Sequence, residues 1–129
     1  MLALLCPSLT TPNRIPFEYL SHDTELINET KDDRYSQMVI SFRMFAEAKK
    51  SAAYVLANAA AINVPVLLLH GTEDKVIDPA GTKELFRKIS FGDKEIKLYE
   101  GLYHELLRET NRQEIIDYIL GWITKRTGR

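Results

Sequence analysis

Two loops in the second half of the sequence carry side chains suited to proton transfer. Asp74 lies in the polar loop after the apolar run 64–69, and His104 lies in the loop after residues 96–99. If both runs are parallel strands, both loops lie at the carboxyl ends of the strands, where catalytic groups collect. A carboxylate beside an imidazole holds one tautomer and stabilises the imidazolium that forms when the histidine removes a proton from a nucleophile. The pair therefore predicts two members of a catalytic triad.

Each of these residues also has an alternative role. Asp74 could be a plain turn residue, with Glu73 or Asp78 as the acid in its place, and His104 could be a solvated loop histidine. Asp78 is followed by Pro79, and an acceptor before a proline is typical of a helix N-terminus. A capping role therefore already explains Asp78.

Two further polar groups are interpreted as structural. His70 precedes Gly71 at a strand end, which favours turn formation over ligand binding, and no second histidine or acid lies at metal-ligand spacing. We therefore predict no metal ion and no cofactor. Ser21, His22 and Asp23 form a triplet of catalytic residue types, but adjacent residues seldom face one another productively. We interpret this triplet as a surface loop.

Composition excludes several classes of protein. The 129 residues are 45% hydrophobic, enough for a core, and 17 basic against 18 acidic side chains leave a net charge of −1, so no global field attracts nucleic acid. Cys6 is the single cysteine, which excludes an internal disulfide, fits a reducing compartment and predicts a small buried hydrophobe. Residues 1–6 are too short an apolar run to export or span. We predict a cytoplasmic protein without a transmembrane segment, and leave peripheral membrane contact open.

The order of the predicted elements indicates a parallel α/β sheet. Residues 1–6 predict a buried strand, residues 14–31 are polar and irregular, and a helical spacing runs from Tyr35 to about Ala60. Strands follow at 64–69 and 95–99. This order is that of three parallel strands joined by right-handed crossovers.

Two helices complete the predicted sheet. One begins after Asp78 and ends near Ser90, with Gly92 closing it in a left-handed conformation. The last one begins near residue 110 and presents the apolar stripe Ile115, Ile116, Ile119, Trp122 and Ile123. Its predicted N-terminus is a capping box, formed by Thr110 with Gln113 or by Asn111 with Glu114.

Methionine and phenylalanine side chains on the first long helix have two interpretations. Met38, Phe42, Met44 and Phe45 could line an acyl-binding cleft, because such side chains make adaptable apolar walls. Ordinary packing of the helix against the core is the alternative for each of them.

Three stretches of the sequence resemble a known superfamily. Residues 64–79, VPVLLLHGTEDKVIDP, resemble the acid loop of α/β-hydrolases. Residues 97–109, KLYEGLYHELLRE, are similar to the histidine segment of the monoacylglycerol lipase and lysophospholipase group, hydrolases of the serine aminopeptidase S33 type. Residues 33–35 and 40–47 resemble the cap-to-core region of that group. The resemblance covers the chain from residue 1 to about residue 126.

The resemblance implies the C-terminal portion of an α/β-hydrolase, one partial domain over residues 1–129. Asp74 matches the family acid and His104 the family histidine, residues 10–45 the cap, and residues 64–126 the acid and histidine loops with the last two strands and helices. The family nucleophile is a serine in a Gly-x-Ser-x-Gly elbow. The six serines of this sequence all lie outside such a motif. The chain alone is therefore expected to be inactive.

The predicted function is a contribution to carboxylic-ester hydrolysis. The resemblance implies an acyl ester or monoacylglycerol-like substrate in an intact enzyme, with Met38, Phe42 and Phe45 expected to contact the acyl chain. A first alternative is an interaction module that pairs the edge at residues 2–6 with an amino-terminal half or with itself. A second is an epoxide hydrolase, dehalogenase or carbon–carbon hydrolase, since these share the acid and the histidine.

Overall fold

The structure of the protein, a computed structural model, describes residues 6–36 and 38–128. Four strands and four α-helices follow one another along this part of the chain: β1 (Thr10–Pro12), α1 (Thr24–Asp32), β2 (Val39–Ser41), α2 (Phe42–Asn58), β3 (Val66–Gly71), α3 (Pro79–Lys88), β4 (Lys94–Tyr99) and α4 (Arg112–Thr127). Short 3₁₀ helices lie at Phe17–Tyr19, Ala59–Ala61 and Leu106–Arg108. The alternation of helices and strands confirms the predicted α/β class.

The strands β3 and β4 form the parallel pair that carries both polar loops. Their register runs from Val66 opposite Lys94 to Gly71 opposite Tyr99, so the two strands end side by side. The helix α3 connects them and contacts both. Two of the three predicted parallel strands are thus observed. The third, predicted over residues 1–6, lies outside the described residues apart from Cys6.

A small antiparallel pair replaces the start of the predicted helix 35–60. Thr10 to Pro12 pair with Ser41 to Val39, and the helix α2 begins only at Phe42. The Ser41 hydroxyl accepts a hydrogen bond from the Met44 N–H, which is the usual serine N-cap. The helical start at Tyr35 was wrong because β-branched Val39 and Ile40 favour a strand and Ser41 favours a cap.

The segment 14–31, predicted to be irregular, contains the helix α1. Asp23 caps it by accepting hydrogen bonds from the N–H groups of Glu25 and Leu26. Ile27 is buried and anchors the helix. The prediction was wrong because two adjacent apolar residues, Leu26 and Ile27, give little periodicity over nine residues, although the aspartate cap was visible in the sequence.

The ends of α3 and α4 differ from their predicted caps. At the end of α3, Lys94 Nζ donates to the carbonyls of Phe86 and Ile89, at 2.7 and 2.5 Å. Gly92 has no left-handed φ, so its predicted role was wrong. At the start of α4, Asn111 makes no side-chain capping bond, and neither predicted capping box forms.

The core of the described region is small. Its buried apolar side chains are Ile27, Ala59, Ile89, Tyr99 and Ile115. Cys6 is exposed, contrary to the prediction that it is buried. On α2, Met44, Phe45 and Tyr54 are 54–68% exposed. In the described part of the chain, every helix is too short or too polar to cross a bilayer.

Candidate active site

Asp74 sits in a tight turn directly after β3. Its Oδ1 accepts hydrogen bonds from the N–H groups of Val76 and Ile77, at 2.7 and 2.9 Å, which is the geometry of an Asx turn. Its other oxygen, Oδ2, accepts a hydrogen bond from His104 Nδ1 at 2.8 Å. The side chain is 2% exposed. The turn therefore aims one carboxylate oxygen at His104 and fixes the other to the backbone.

The surroundings of Asp74 favour its charged form. Burial by itself raises the pKa of Asp74, but the hydrogen bonds from Ile77 N–H, His104 and Val76 N–H outweigh it and leave the pKa below the ordinary value. The residue is accordingly a carboxylate at neutral pH. A carboxylate can only accept hydrogen bonds, so Nδ1 of His104 carries the proton.

The His104 loop is held against the acid turn by its backbone. Leu102 and Tyr103 present carbonyl oxygens so close to Gly71 that an ideal Cβ there would lie 2.2 and 2.4 Å from them. The Glu73 N–H donates to the Leu102 carbonyl at 3.1 Å. Gly101 turns the loop with φ +75°, a conformation that glycine adopts at little cost. The absence of a side chain at position 71 therefore lets the two loops meet.

A cavity of about 300 Å³ lies beside His104. It is lined by residues of the acid turn, of the 13–20 segment and of the region before β2, among them Ile15, Phe17, Leu20, Met38 and Val76. With Nδ1 protonated, Nε2 of neutral His104 carries the lone pair, and we find no hydrogen bond from Nε2 to any described residue. His104 is 35% exposed on its side chain. The imidazole thus combines a fixed proton on one nitrogen with an available base on the other.

The sequence of this chain is similar to known proteins over most of its length. The sequence profile of the serine aminopeptidase S33 family matches residues 1–111. The chain belongs to this family. An uncharacterized abhydrolase domain-containing protein of Dictyostelium discoideum is 32% identical over 127 residues, which are 98% of this S33-family chain and 14% of that protein.

Solved and curated monoacylglycerol lipases are also similar to this S33-family chain. The crystal structure of the Paleococcus ferrophilus monoacylglycerol lipase matches with a TM-score of 0.93 and 26% identity, over 98% of this chain and 49% of that one. The monoacylglycerol lipase of Mycolicibacterium smegmatis is 37% identical over 65 residues, 50% of this chain and 23% of that lipase. The chain spans less than half the length of each of these relatives. The predicted α/β-hydrolase fold and the resemblance to monoacylglycerol lipases are confirmed.

The three residues predicted to contact an acyl chain lie in different places in this S33-family structure. Met38 lines the cavity beside His104. Phe42 and Phe45 lie on α2 and are not among the residues that line that cavity, and Phe45 is 54% exposed. The structure therefore groups Met38 with His104 and separates both phenylalanines from it. The contact of Met38 with a substrate stays a prediction.

His70, which was interpreted from the sequence as a turn residue, is a neighbour of Asp74. Its Nε2 lies 3.1 Å from the Ile77 carbonyl and 3.0 Å from Asp74 Oδ2, and both are acceptors, so Nε2 carries a proton. Its Nδ1 lies 2.7 Å from Thr82 Oγ1 on α3, where it accepts from the hydroxyl when the ring is neutral. His70 therefore ties the acid turn to α3. The spacing of four residues from Asp74 was the available sequence signal.

The triplet Ser21, His22 and Asp23 lies in a loop, as predicted, but only part of it is on the surface. Ser21 is 3% exposed and its hydroxyl donates to the Arg108 carbonyl at 2.7 Å. His22 pairs with Glu109, whose side chain is fully buried. Asp23 caps α1, as described above. The burial of Ser21 and the pairing of His22 were not predicted, because Arg108 and Glu109 lie more than eighty residues away, where no local pattern indicates them.

Neither a cluster of metal-binding side chains nor a serine partner of His104 is found in the described part of the S33-family chain. Over residues 6–36 and 38–128, no group of three or more metal-binding side chains comes together. No serine hydroxyl in those ranges forms a hydrogen bond with His104. Ser36 lines the same cavity as His104, in a turn before β2 and outside any Gly-x-Ser-x-Gly motif. The observed pair therefore supplies an acid and a base without a nucleophile bonded to them.

Proposed function

We propose that this chain supplies the acid and the histidine of a serine carboxylic-ester hydrolase similar to monoacylglycerol lipase. The observation that carries the proposal is the 2.8 Å contact between His104 Nδ1 and Asp74 Oδ2, with the imidazole bordering a cavity. Asp74 orients the ring and balances the charge that His104 gains. His104 Nε2 takes the proton of the attacking serine and returns it to the leaving alcohol.

The nucleophile in this proposal comes from a Gly-x-Ser-x-Gly elbow outside this sequence. The single partial domain comprises residues 1–129, with residues 10–45 as the cap and residues 64–126 as the acid and histidine part. The substrate is an acyl ester such as a monoacylglycerol, and Met38, Phe17 and Ile15 provide apolar walls beside His104. The single cysteine suits a reducing, cytoplasmic compartment.

Reconstitution tests this function directly. The chain is combined with an amino-terminal α/β-hydrolase portion that carries the serine elbow, and hydrolysis of a monoacylglycerol is followed. We expect activity from the mixture, lost by about 10⁴-fold in His104→Ala and Asp74→Asn. Asp78→Asn is the matched control, because asparagine also caps a helix and Asp78 lies outside the pair. Equal activity of the Asp74→Asn and Asp78→Asn mixtures would contradict the assignment.

The chain by itself is expected to have no esterase activity and not to react with a serine-directed phosphonate. Stoichiometric labelling of the purified chain would overturn that expectation. Since Ser36 shares the cavity with His104, Ser36→Ala identifies the labelled group in that case. An elbow that carries aspartate in place of serine would instead favour an epoxide hydrolase or dehalogenase, which share the acid and the histidine.

A second candidate function is that of an assembly module. The observation that favours it is the exposure of large apolar side chains on α2, with Met44, Phe45 and Tyr54 all more than half exposed over a small core. In this proposal the chain associates with an amino-terminal half or with a second copy of itself. Light scattering tests the self-association, and a monomer that persists at high concentration would count against it.

A further inference from the structure

Glu109 is a buried carboxylate for which the proposed reaction has no use. Its side chain has no exposed surface, yet it accepts several hydrogen bonds from two distant parts of the chain. Oε1 accepts from the Tyr103 N–H at 2.9 Å, and Oε2 accepts from the His22 N–H at 3.0 Å. His22 Nδ1 lies 3.1 Å from both oxygens. A charge that is costly to bury is here matched by three donors.

These bonds hold the backbone on one side of His104. Tyr103, whose N–H is bonded to Glu109, directly precedes His104, and its ring stacks on His22 with the centroids 3.8 Å apart. On the other side, the Glu105 N–H donates to the Leu20 carbonyl at 2.8 Å. The backbone is therefore bonded on both sides of His104, through the Tyr103 N–H to Glu109 and through the Glu105 N–H to Leu20. Residues 20–22 contact both of these places, since Leu20 accepts from Glu105 and His22 bonds Glu109 and stacks on Tyr103.

The charge state of Glu109 agrees with this arrangement. Burial alone raises the pKa of Glu109, whereas the hydrogen bonds from Tyr103 N–H and from the backbone and ring of His22 lower it, and the net direction is downward. Glu109 is thus ionised at neutral pH and bonds all three donors as a carboxylate.

We propose that Glu109 is a positioning residue for His104, and that it couples the orientation of His104 to the docking of residues 20–22. Glu109 holds Tyr103 in place, and His22 completes the bond set only when its own segment is seated against the loop. The significance of this role for catalysis rests on the proposed function. The geometric dependence of His104 on Glu109 can be measured in this chain without any ester substrate.

Replacement of Glu109 by glutamine changes the hydrogen bonds of this side chain but leaves its packing nearly unchanged. Glutamine has nearly the same size, but one of its two terminal atoms is a donor. Placed at Oε1 that donor faces the Tyr103 N–H, and placed at Oε2 it faces the His22 N–H. Either orientation therefore leaves one backbone donor without its acceptor. His22→Phe is the second variant, since it keeps a ring to stack on Tyr103 and removes only the Nδ1–H donor.

The experiment is proton NMR of the purified chain, with the downfield Nδ1 proton of His104 as the signal. The signal is assigned by its loss in His104→Gln, and folding of each variant is checked by circular dichroism. We expect exchange of this proton with water to become at least tenfold faster in Glu109→Gln and measurably faster in His22→Phe. Glu100→Gln, an exposed carboxylate in the same loop, is the control and should leave the exchange rate unchanged.

Two results overturn the role of Glu109. One is a folded Glu109→Gln chain that exchanges the His104 proton at the unsubstituted rate. The other applies if Glu109→Gln does not fold: a folded His22→Phe chain with an unchanged rate then overturns the coupling. Absence of the Nδ1 signal from the unsubstituted chain contradicts the Asp74–His104 pair itself, and so overturns the proposed function together with the positioning role.

Discussion

Nε2 of His70 lies 3.0 Å from Oδ2 of Asp74, the same oxygen that accepts the hydrogen bond from His104 Nδ1. Two imidazoles thus meet at one carboxylate oxygen, one from β3 and one from the loop after β4. The same Nε2 of His70 also lies 3.1 Å from the Ile77 carbonyl oxygen, and the Nδ1 of His70 faces the Thr82 hydroxyl. His70 therefore stabilises the turn that contains Asp74 on the side away from the cavity, while His104 borders the cavity.

The first prediction concerns this support of the acid turn. His70→Ala removes the bonds to the Ile77 carbonyl and to Thr82 and leaves a largely buried site partly empty. We expect the free energy of unfolding to fall by about 2–3 kcal/mol, measured by urea denaturation. Thr82→Ser keeps the hydroxyl that faces Nδ1 and should cost much less. A His70→Ala chain as stable as Thr82→Ser would contradict the structural role of His70.

The second prediction is the pH dependence that Asp74 contributes. Because its folded pKa is below the ordinary value, its contribution to stability is complete above the unfolded-state pKa of about 3.9 and is lost as the pH falls through the lower folded pKa. In Asp74→Asn that titrating contribution is absent, and about 1.5–3 kcal/mol of stability is lost at neutral pH. As the pH falls below about 5, the free energy of unfolding of the variant should therefore decrease less steeply than that of the unsubstituted chain.

Urea denaturation at several pH values measures this difference. Glu109 titrates in the same direction, since its pKa is also lowered in the folded chain, so some acid sensitivity persists in Asp74→Asn. Asp78→Asn is the matched control and should keep the slope of the unsubstituted chain. If Asp74→Asn and the unsubstituted chain lose stability in parallel as the pH falls, Asp74 is not held in the folded state as described.

A third prediction tests the close approach of the two loops at Gly71. A Cβ at position 71 would lie 2.2 Å from the Leu102 carbonyl oxygen and 2.4 Å from that of Tyr103, and backbone atoms cannot move aside cheaply. We expect Gly71→Ala to lower the free energy of unfolding by more than about 3 kcal/mol and to displace the His104 loop.

Gly81→Ala is the counterpart of that substitution. Gly81 lies in α3, and a Cβ there meets nothing within 4 Å. Alanine should raise the free energy of unfolding by about 0.5–1 kcal/mol, because glycine is a poor helix former. Thermal unfolding of the two variants should therefore shift in opposite directions. A tolerated Gly71→Ala would show that the loops do not approach as closely as observed.

Local patterns in the sequence were sufficient to place the two strands and the two loops of the candidate site. A continuous apolar run followed by polar residues defines a strand end, and parallel pairing brings such ends together, which is how Asp74 and His104 come within 2.8 Å. Their catalytic roles remain predictions. The N-caps Ser41 and Asp23 are equally local signals. They indicate the start of α2 and the presence of α1, both of which were predicted wrongly.

The remaining errors depend on contacts that no local pattern records. Ser21 and His22 lie in a loop, but the burial of Ser21 and the bonds of His22 depend on Arg108 and Glu109, more than eighty positions later. Position 92 illustrates the same limit at short range. A glycine after a helix is the usual left-handed cap, but here a lysine on the next strand bonds the last carbonyls instead, and the glycine is not needed for that purpose.

The last prediction tests that substitute cap. Lys94 Nζ bonds the carbonyls of Phe86 and Ile89 and lies 4.6 Å from the Phe86 ring centroid, so one cation satisfies the end of α3 and joins it to β4. Lys94→Met keeps the apolar stem and removes the charge, and should cost about 1–2 kcal/mol in urea denaturation. Lys88→Met, which breaks only the exposed pair with Glu84, should cost about 0.3–0.5 kcal/mol. Equal losses would mean that Lys94 acts as an ordinary surface charge and that α3 ends without its help.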